Sequence, residues 1–540
     1  MKFIIRVTSI CLVFVLFSCA STKPETTTTV IPKIDTESLL SDQTMKRYMN
    51  TITENELKEN LYVFASDAFE GRETGTRGQK LAANYLADAY HQLGLKGPIS
   101  DQANPYLQRI PFLEEKTSYG TIRSNSVQLD NGTDFLTQAY PKPSTATEMV
   151  FVGHGIETDD YNDYADIDVR GKAICAIWGE PKDSNGRRIV SAPQDSFLNL
   201  KNLAAKGITD LFITFTNQQR YDAQMTFASR SAEKFKPMFT LNDSDTSERP
   251  YNLYFISPSK AAELFGTSAS SFFEDISSAL DQKKTLGGLY TASDIKIEIE
   301  RPRKTITSEN IVAVLPGRDL KEEVLVISSH YDHVGIINGK IHNGADDDGS
   351  GTMGVLEIAE AFAAAAKDGY GPRRTIVFLN VTGEEKGLWG SEYYADVDPI
   401  FPLENTVANL NIDMIGRNGD ARKDDNDYIY IIGSDMLSTE LHAVHEKVSG
   451  RHFADMDMDY LYNGKTHPDR FYYRSDHYNF AKHNIPVIFY FNGTHEDYHQ
   501  PTDTPDKIDY PQYTKRTQLI FATAWQVANM DKRPIVDVKS

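Results

Sequence analysis

Cysteine is scarce. Cys11, Cys19 and Cys175 are the only three in 540 residues, too few for a disulfide framework or a cysteine zinc cluster. Positive charge is short as well: Lys plus Arg number 56 against 76 Asp plus Glu, a formal net charge of −20. That balance argues against a nucleic-acid partner, because such binding depends on cations that neutralise phosphates. Beyond the first residues no segment is apolar enough to span a bilayer, and no internal repeat is visible. What is present points to a folded chain: 28 Tyr, 27 Phe and a hydrophobic fraction of 40% argue against wholesale disorder. At roughly 150 residues per domain the length allows about three domains. A soluble acidic enzyme or a binding protein remains.

The first residues read as an address. Lys2 and Arg6 give a positive start, and Val7 to Phe17 is apolar except for Thr8 and Ser9, too short for a stable span but suited to a signal-peptide core. The run ends in Leu16-Phe17-Ser18-Cys19, which resembles the lipobox of bacterial lipoproteins. That resemblance implies a signal peptide over 1–18, lipidation of Cys19, and a membrane-anchored protein outside the cytoplasm. Its place would be the periplasm or cell surface, on the outer membrane in a Gram-negative cell. Residues 19–43 read as a flexible tether, since Ala20 to Lys33, with Thr26 to Thr29 consecutive, has too little apolar content to pack. Cys175, within Ala173 to Ile177, reads as a small buried hydrophobe.

In the mature chain, helical spacing of Leu57, Leu61, Val63 and Phe64 and of Ala82, Ala83, Leu86 and Ala89 predicts two helices, separated by Gly71-Arg72-Glu73-Thr74-Gly75. From about 120 to 290 the texture is one of short strands and turns: strands at Glu148–Ile156, Lys172–Trp178 and Thr209–Phe215, and a helix ending over Lys201–Gly207. No cluster of paired carboxylates and histidines stands out there. From Ser308 strands and helices alternate. The runs Asn310–Leu315, Val324–Ser329, Thr375–Val381, Val407–Ile412, Tyr428–Ile432 and Pro486–Phe491 are apolar throughout, as strands covered on both faces are. Helices are expected at Thr352–Ala366, Thr439–Val448 and about Pro511–Asn529. The predicted class is α/β, a mixed, mainly parallel sheet flanked by helices, carrying a β-rich insert. Ligands of such sheets bind beyond the carboxyl ends of the strands.

Five stretches place chemistry there. They are His330-Tyr331-Asp332 after the second of these strands, Gly344-Ala345-Asp346-Asp347-Asp348-Gly349-Ser350-Gly351 before a helix, Gly383-Glu384-Glu385, Asp413-Met414, and His499 with Asp503 after the last strand. Taken singly, Glu384-Glu385 is a solvated pair and Asp346-Asp347-Asp348 a helix N-terminus with favourable charge. Their coincidence at consecutive strand ends reverses that judgement. Two histidines and three carboxylates suit zinc, cobalt or manganese, and with one carboxylate bridging they suffice for two ions.

This ordered set resembles the family-28 metallopeptidases, zinc aminopeptidases and glutamate carboxypeptidases among them. The match covers 308–530, and Asp67 to Gly75 resembles the family's N-terminal segment. The middle stretch is similar to a protease-associated domain through Val152-Gly153-His154-Gly155-Ile156, Asp168 to Lys172 and Asn202 to Gly207. The implied division is 44–119 for the first part of the peptidase domain, 120–295 for the insert and 296–540 for the catalytic part. Residue by residue, the resemblance implies two divalent ions, zinc by type. One would rest on His330, Asp346 and Asp413 and the other on Asp346, Glu385 and His499, with Asp346 bridging. It implies Glu384 as general base, Asp332 as the carboxylate orienting His330, and a cis peptide at Asp346–Asp347. The implied substrates are peptides and the default activity is that of an aminopeptidase.

Other features are weaker. Asp476, in Arg474-Ser475-Asp476-His477, is a candidate for shaping the substrate end of the cleft. Phe471-Tyr472-Tyr473 could line a pocket, though core packing suits it better. His442 and His445 sit one helical turn apart without a carboxylate to complete a site, so an exposed helix face is expected. Asp455 to Asp459 opens like a calcium loop, but Tyr460 stands where an EF-hand needs glycine. The rivals to an aminopeptidase are a carboxypeptidase, a one-zinc glutaminyl cyclase and a metal-free receptor-like protein. Retention of all five ligands speaks against the last two.

Overall fold

A computed structural model describes residues 41–538, except 101–102, 116–118, 125–126, 138–142, 191–202, 204, 224–237, 242–250, 301–302 and 424–426. The signal peptide, Cys19 and most of the tether lie outside the described residues, and the helix end at 201–207 lies partly outside them. A nine-stranded sheet runs, edge to edge, through Asp457–Asp459, Tyr428–Ile432, Val487–Phe491, Thr406–Ile412, Leu320–His330, Arg374–Val381, Arg303–Leu315, Leu107–Glu115 and Met238–Leu241. The four strands from Val487–Phe491 to Arg374–Val381 are mutually parallel, so their carboxyl ends share one edge. Arg303–Leu315, Leu107–Glu115 and Met238–Leu241 continue the sheet antiparallel. The class is therefore mixed α/β with a parallel centre.

The unbroken apolar runs have the expected cause. Side chains alternate between faces with period two, and both faces are covered. Ile311, Ala313, Leu325, Ile327, Ile376 and Phe378 enter one core, while Val312, Val324, Val326, Val377 and Leu379 enter another on the opposite face. The first core is closed by helices Glu54–Phe64, Arg77–Gln92, Gly351–Lys367 and Tyr510–Asn529. Thr53 caps the first of these, accepting from the Glu56 N–H at 3.3 Å while its hydroxyl donates to the Glu56 carboxylate at 2.7 Å, a reciprocal cap that fixes where the helix starts. Leu57, Leu61 and Phe64 are buried as their spacing predicts, whereas Val63 is 48% exposed. Trp525, fully buried, stacks on Phe362 at 5.5 Å, and its truncation to alanine would cost about 3–5 kcal/mol.

A second sheet of six strands has the order Gly287–Ser293, Glu148–Val152, Ala173–Trp178, Asp210–Phe215, Asn252–Ile256, Phe135–Thr137. It too has a parallel centre, and helices Pro258–Leu264 and Ala269–Asp281 add more helix than the sequence texture predicts. Gly153 has φ +55, and a Cβ there would lie 2.5 Å from Leu286 Cβ, so the turn after Glu148–Val152 requires glycine. Cys175 is buried in this core. Met238–Leu241, from the middle of the same stretch, instead joins the edge of the larger sheet.

Candidate metal centre

His330 is the last residue of the strand Leu320–His330. Its Nδ1 lies 3.1 Å from the Asp332 main-chain carbonyl, which accepts the ring N–H and leaves Nε2 facing the neighbouring strand ends. From there Nε2 is 3.3 Å from Asp347 Oδ1, 3.6 Å from Asp413 Oδ1 and 4.0 Å from Glu384 Oε2. On the other side, His499 Nε2 is 3.1 Å from Asp347 Oδ2 and 3.0 Å from Glu385 Oε2. The two oxygens of Asp347 therefore face two separate histidines. Tetrahedral zinc with bonds of 2.0–2.1 Å has donor–donor edges of about 3.3 Å, which these spacings match.

The carboxylate set between the two histidines is that of Asp347, a correction to Asp346. Asp346 Oδ1 accepts from the Gly416 N–H at 2.7 Å and the Ser350 hydroxyl at 2.9 Å. Its Oδ2 accepts from the Asn492 amide at 2.7 Å and meets His495 Nε2 at 3.1 Å, so no lone pair is left toward His330 or His499. The cis peptide shifts likewise, to Asp347–Asp348. Asp348 is spent on main chain: Oδ1 accepts from Met414 and Gly351 N–H groups at 3.0 and 2.9 Å, and Oδ2 from the His330 N–H at 3.2 Å. Asp503 then fixes the loop by accepting the Asp346 and Asp347 N–H groups at 3.0 and 3.1 Å.

The N-terminal segment braces this arrangement. Buried Arg72 donates to the carbonyls of Tyr331 at 2.8 Å, Asn343 at 2.6 Å and Gly344 at 2.9 Å, tying the His330 loop to the Asp347 loop. Thr74 donates to Asp332 Oδ2 at 2.7 Å, and Asp332 Oδ1 accepts the Glu384 N–H at 3.2 Å. Asp332 therefore orients His330 through its carbonyl. Its carboxylate, 3.9 Å from Nδ1, positions Glu384 instead. Asp413 Oδ2 accepts from the Ser475 hydroxyl at 2.6 Å. Asp476, expected at the substrate end, is fully buried, accepts from Ser391 at 2.5 Å and does not line the cavity, which corrects that assignment.

Electrostatics test whether cations fit. Burial opposes the charge on Asp347, yet His333, His330 and His499 hold it well below the ordinary carboxylate range. Glu385, despite burial and Asp347, is brought down to about 2 by His333 and His499. The same field pushes His499 up to about 11 against the effect of burial, chiefly through Asp347 and Glu385. Such a site demands positive charge, which dications supply in place of these protons. Buried atoms without hydrogen-bond partners gather at the same spot: His333 Nδ1 and Nε2, Asp347 Oδ2, Glu385 Oε1 and His499 Nε2. Native interiors rarely leave such atoms unmatched, and an N/O donor set of this kind suits zinc.

Glu384 differs from its neighbour. Burial pushes its carboxyl well above the usual range; His330 opposes this, and Asp413 and Glu385 add to it. It lines a cavity with His330, Asp347, Asp413, Met414, Phe471 and Phe489, among others. Phe471 is thus at the cavity, while Tyr472 is buried and stacks edge-on against His477 at 5.7 Å. A larger cavity of about 240 Å³ lies at Arg417, Lys423 and Lys507, whose charges are already paired with Asp497 and Glu496.

The decoys have mundane partners. His442 Nδ1 sits 3.0 Å from Ser434 Oγ, and His445 is fully buried rather than on an exposed face, with burial lowering it to about 3. Asp457 and Asp459 are paired with Arg422 at 2.9 and 2.6 Å. The residue that sequence reasoning missed is His333, whose Nδ1 lies 2.8 Å from Glu385 Oε1 and 3.6 Å from Asp347 Oδ2. Its position three residues past His330 on the same strand end was the available signal.

Two neighbouring groups of metal-ligand type sharing one carboxylate, with a further carboxylate over the cavity, form an arrangement of the kind that two-metal hydrolases use. Residues 310–524 match the family model described as Peptidase family M28. The chain is 29% identical over 259 residues to a probable zinc metalloprotease of Pyricularia oryzae, covering 41% of this chain and 50% of that protein. It is 26% identical over 238 residues to aminopeptidase YwaD of Bacillus subtilis, covering 42% and 46%. The chain thus spans about half the length of these relatives. A solved aminopeptidase from Aneurinibacillus sp. strain AM-1 aligns over 92% of this chain and 98% of its own, at 17% identity and a TM-score of 0.47.

Proposed function

We propose that the chain is a two-zinc exopeptidase, and specifically an aminopeptidase removing N-terminal residues from peptides outside the cytoplasm. The observation that carries this reading is Asp347, with one oxygen toward His330 and the other toward His499, beside a cavity-facing Glu384. His330, Asp347 and Asp413 would hold one ion, and Asp347, Glu385 and His499 the other. When bound, the pair supplies Lewis acidity toward the scissile carbonyl and a lowered pKa for the attacking water. Glu384 accepts the proton of that water and returns it to the departing amine. Asp332 and Thr74 keep Glu384 in place through its main-chain N–H. Met414, Phe471, Phe489 and Phe491 offer an apolar wall to a side chain of the same character. The names of the two relatives, a zinc metalloprotease and an aminopeptidase, support the reading.

One observation favours a carboxypeptidase instead: Arg474 lines the same cavity, with its guanidinium 4.7 Å above the Phe471 ring, where it could receive a substrate carboxylate. Metal analysis with a panel of aminoacyl-anilides and N-blocked peptides separates the two. Two zinc ions per chain and anilide cleavage are expected, and cleavage of blocked peptides alone would sink the aminopeptidase reading.

We further propose that Cys19 is lipidated and anchors the chain to a membrane, that 1–18 is its signal peptide and that 120–295 is a protease-associated insert. The apolar run ending at Cys19 supports the anchor, and no described helix is long and apolar enough to cross a membrane. Cys19→Ala should move the protein from the membrane fraction to the soluble one on fractionation. Unchanged membrane association would remove the claim.

A further inference from the structure

We propose that His333 is a fourth protein ligand of the ion held by Asp347, Glu385 and His499, against three protein ligands at the His330 site. The inference rests on the two-zinc reading and goes beyond the five ligands that reading uses. His333 is 0% exposed, and neither of its ring nitrogens has a hydrogen-bond partner. Nδ1 stands 2.8 Å from Glu385 Oε1 and 3.6 Å from Asp347 Oδ2, but not aligned to donate to either. A buried imidazole in that position, facing two ionised carboxylates, is placed as a lone-pair donor to something between them.

The spacing supports this geometrically. Four contacts link the imidazoles of His333 and His499 to the two carboxylates, at 2.8, 3.6, 3.1 and 3.0 Å. They scatter around the edge of about 3.3 Å expected for tetrahedral zinc. The two rings stand at 5.6 Å and 73° to each other, edge-on rather than stacked.

The surroundings hold the ring there. Its main-chain N–H donates to the Arg72 carbonyl at 3.3 Å, and the strand end is bridged to Glu73. Gly344 has φ +53, and a Cβ there would come within 2.6 Å of His333 Cγ and Cδ2, so glycine leaves the room the ring occupies.

The other site differs in two ways. It has three protein donors, His330, Asp413 and Asp347 Oδ1, since Asp348 is spent on main-chain amides. The cavity touches His330, Asp347 and Asp413, but its lining does not include His333, Glu385 or His499. Four protein donors hold an ion more firmly than three, and three donors beside a cavity leave a position for water or substrate. The two ions would therefore be inequivalent, the one with four donors bound more tightly.

The test begins with the full wild-type chain stripped of metal and reloaded with one equivalent of zinc. X-ray absorption at the zinc edge should then report two imidazoles per ion. One imidazole per ion would overturn the proposal, because it would put the tighter site at His330 or leave His333 uncoordinated. Competition against a chromophoric chelator should resolve two zinc-binding steps, and His333→Ala should weaken the tighter by about 10–100-fold or more while sparing the other. Equal affinities in variant and wild type would also overturn it. Thermal melting of the metal-free forms checks that the variant folds, and the wild-type absorption experiment stands whatever the variant does. No zinc binding by wild type would remove the two-zinc reading itself, a different failure from two ions with one imidazole each.

Discussion

The two large sheets share a design and differ in what they do with buried charge. Both have parallel strands at the centre and apolar residues on both faces. In the six-stranded sheet's region, buried Asp163 accepts main-chain N–H groups from His154, Ile156 and Leu286 at 3.2, 3.2 and 3.0 Å. Asp210 accepts from Ser144, Asn252 and Tyr254 at 2.5, 2.8 and 3.2 Å. His154 meets the Gly179 carbonyl at 2.7 Å. Charge there is consumed by the fold. At the carboxyl ends of the nine-stranded sheet, Asp346, Asp348 and Asp503 are consumed in the same way, but Asp347, Glu385, His333 and His499 keep buried atoms without partners. A parallel sheet by itself does not make a site; polar atoms that the fold leaves unmatched do.

That contrast breaks most severely at Asp347. Asp347→Ala should remove both ions and take hydrolysis to background, whereas Asp346→Asn should retain zinc; zinc content and peptide turnover check both. Next comes Glu384→Gln, for which hydrolysis should fall by roughly 10²–10⁴-fold with two zinc ions still bound. Near-wild-type turnover would exclude Glu384 as the proton-transfer group. In the other sheet's region the prediction inverts. Asp163→Ala strands three amide donors and should cost about 3–5 kcal/mol in denaturant unfolding, with zinc content and activity per folded molecule unchanged.

The smallest effect concerns an intermediate case. Glu357, buried on the helix Gly351–Lys367, accepts one hydrogen bond, from Asn60 at 2.8 Å. Burial, with help from Glu360 and against Asn60, raises it to about 8. A carboxyl whose folded pKa is raised contributes stability that is full below its unfolded value near 4.5 and is lost as pH rises through 8. Glu357→Gln should therefore flatten the decline between pH 5 and 9 by on the order of 2–3 kcal/mol, read from unfolding midpoints at each pH.

Much of this was legible along the chain. The six strands from Asn310 to Phe491 fall within seven residues of their expected starts and within one of their expected ends, because strands buried on both faces must be apolar at every position. The strand-end stretches converge because parallel strands put their carboxyl ends on one edge. What was not legible was register inside those stretches. Asp346, Asp347 and Asp348 are chemically identical in sequence, and their roles separate only through partners from distant segments: Asn492 and His495 for Asp346, Met414 and His330 for Asp348. Asp332 likewise looks like an orienting carboxylate until the carbonyl bond to His330 is seen. Asp476 looks like a cleft residue until its burial behind Ser391 is seen.

The sequence by itself determined the α/β class, the edge where chemistry gathers and the kinds of donor found there, since these follow from local apolar patterning and residue type. Which aspartate bridges, which histidines face it and which carboxylate stands over the cavity were decided only by tertiary structure. The reason is that a carboxylate's role depends on which of its lone pairs the rest of the fold has already taken, and those hydrogen bonds reach across as many as 258 positions of chain, as between Thr74 and Asp332.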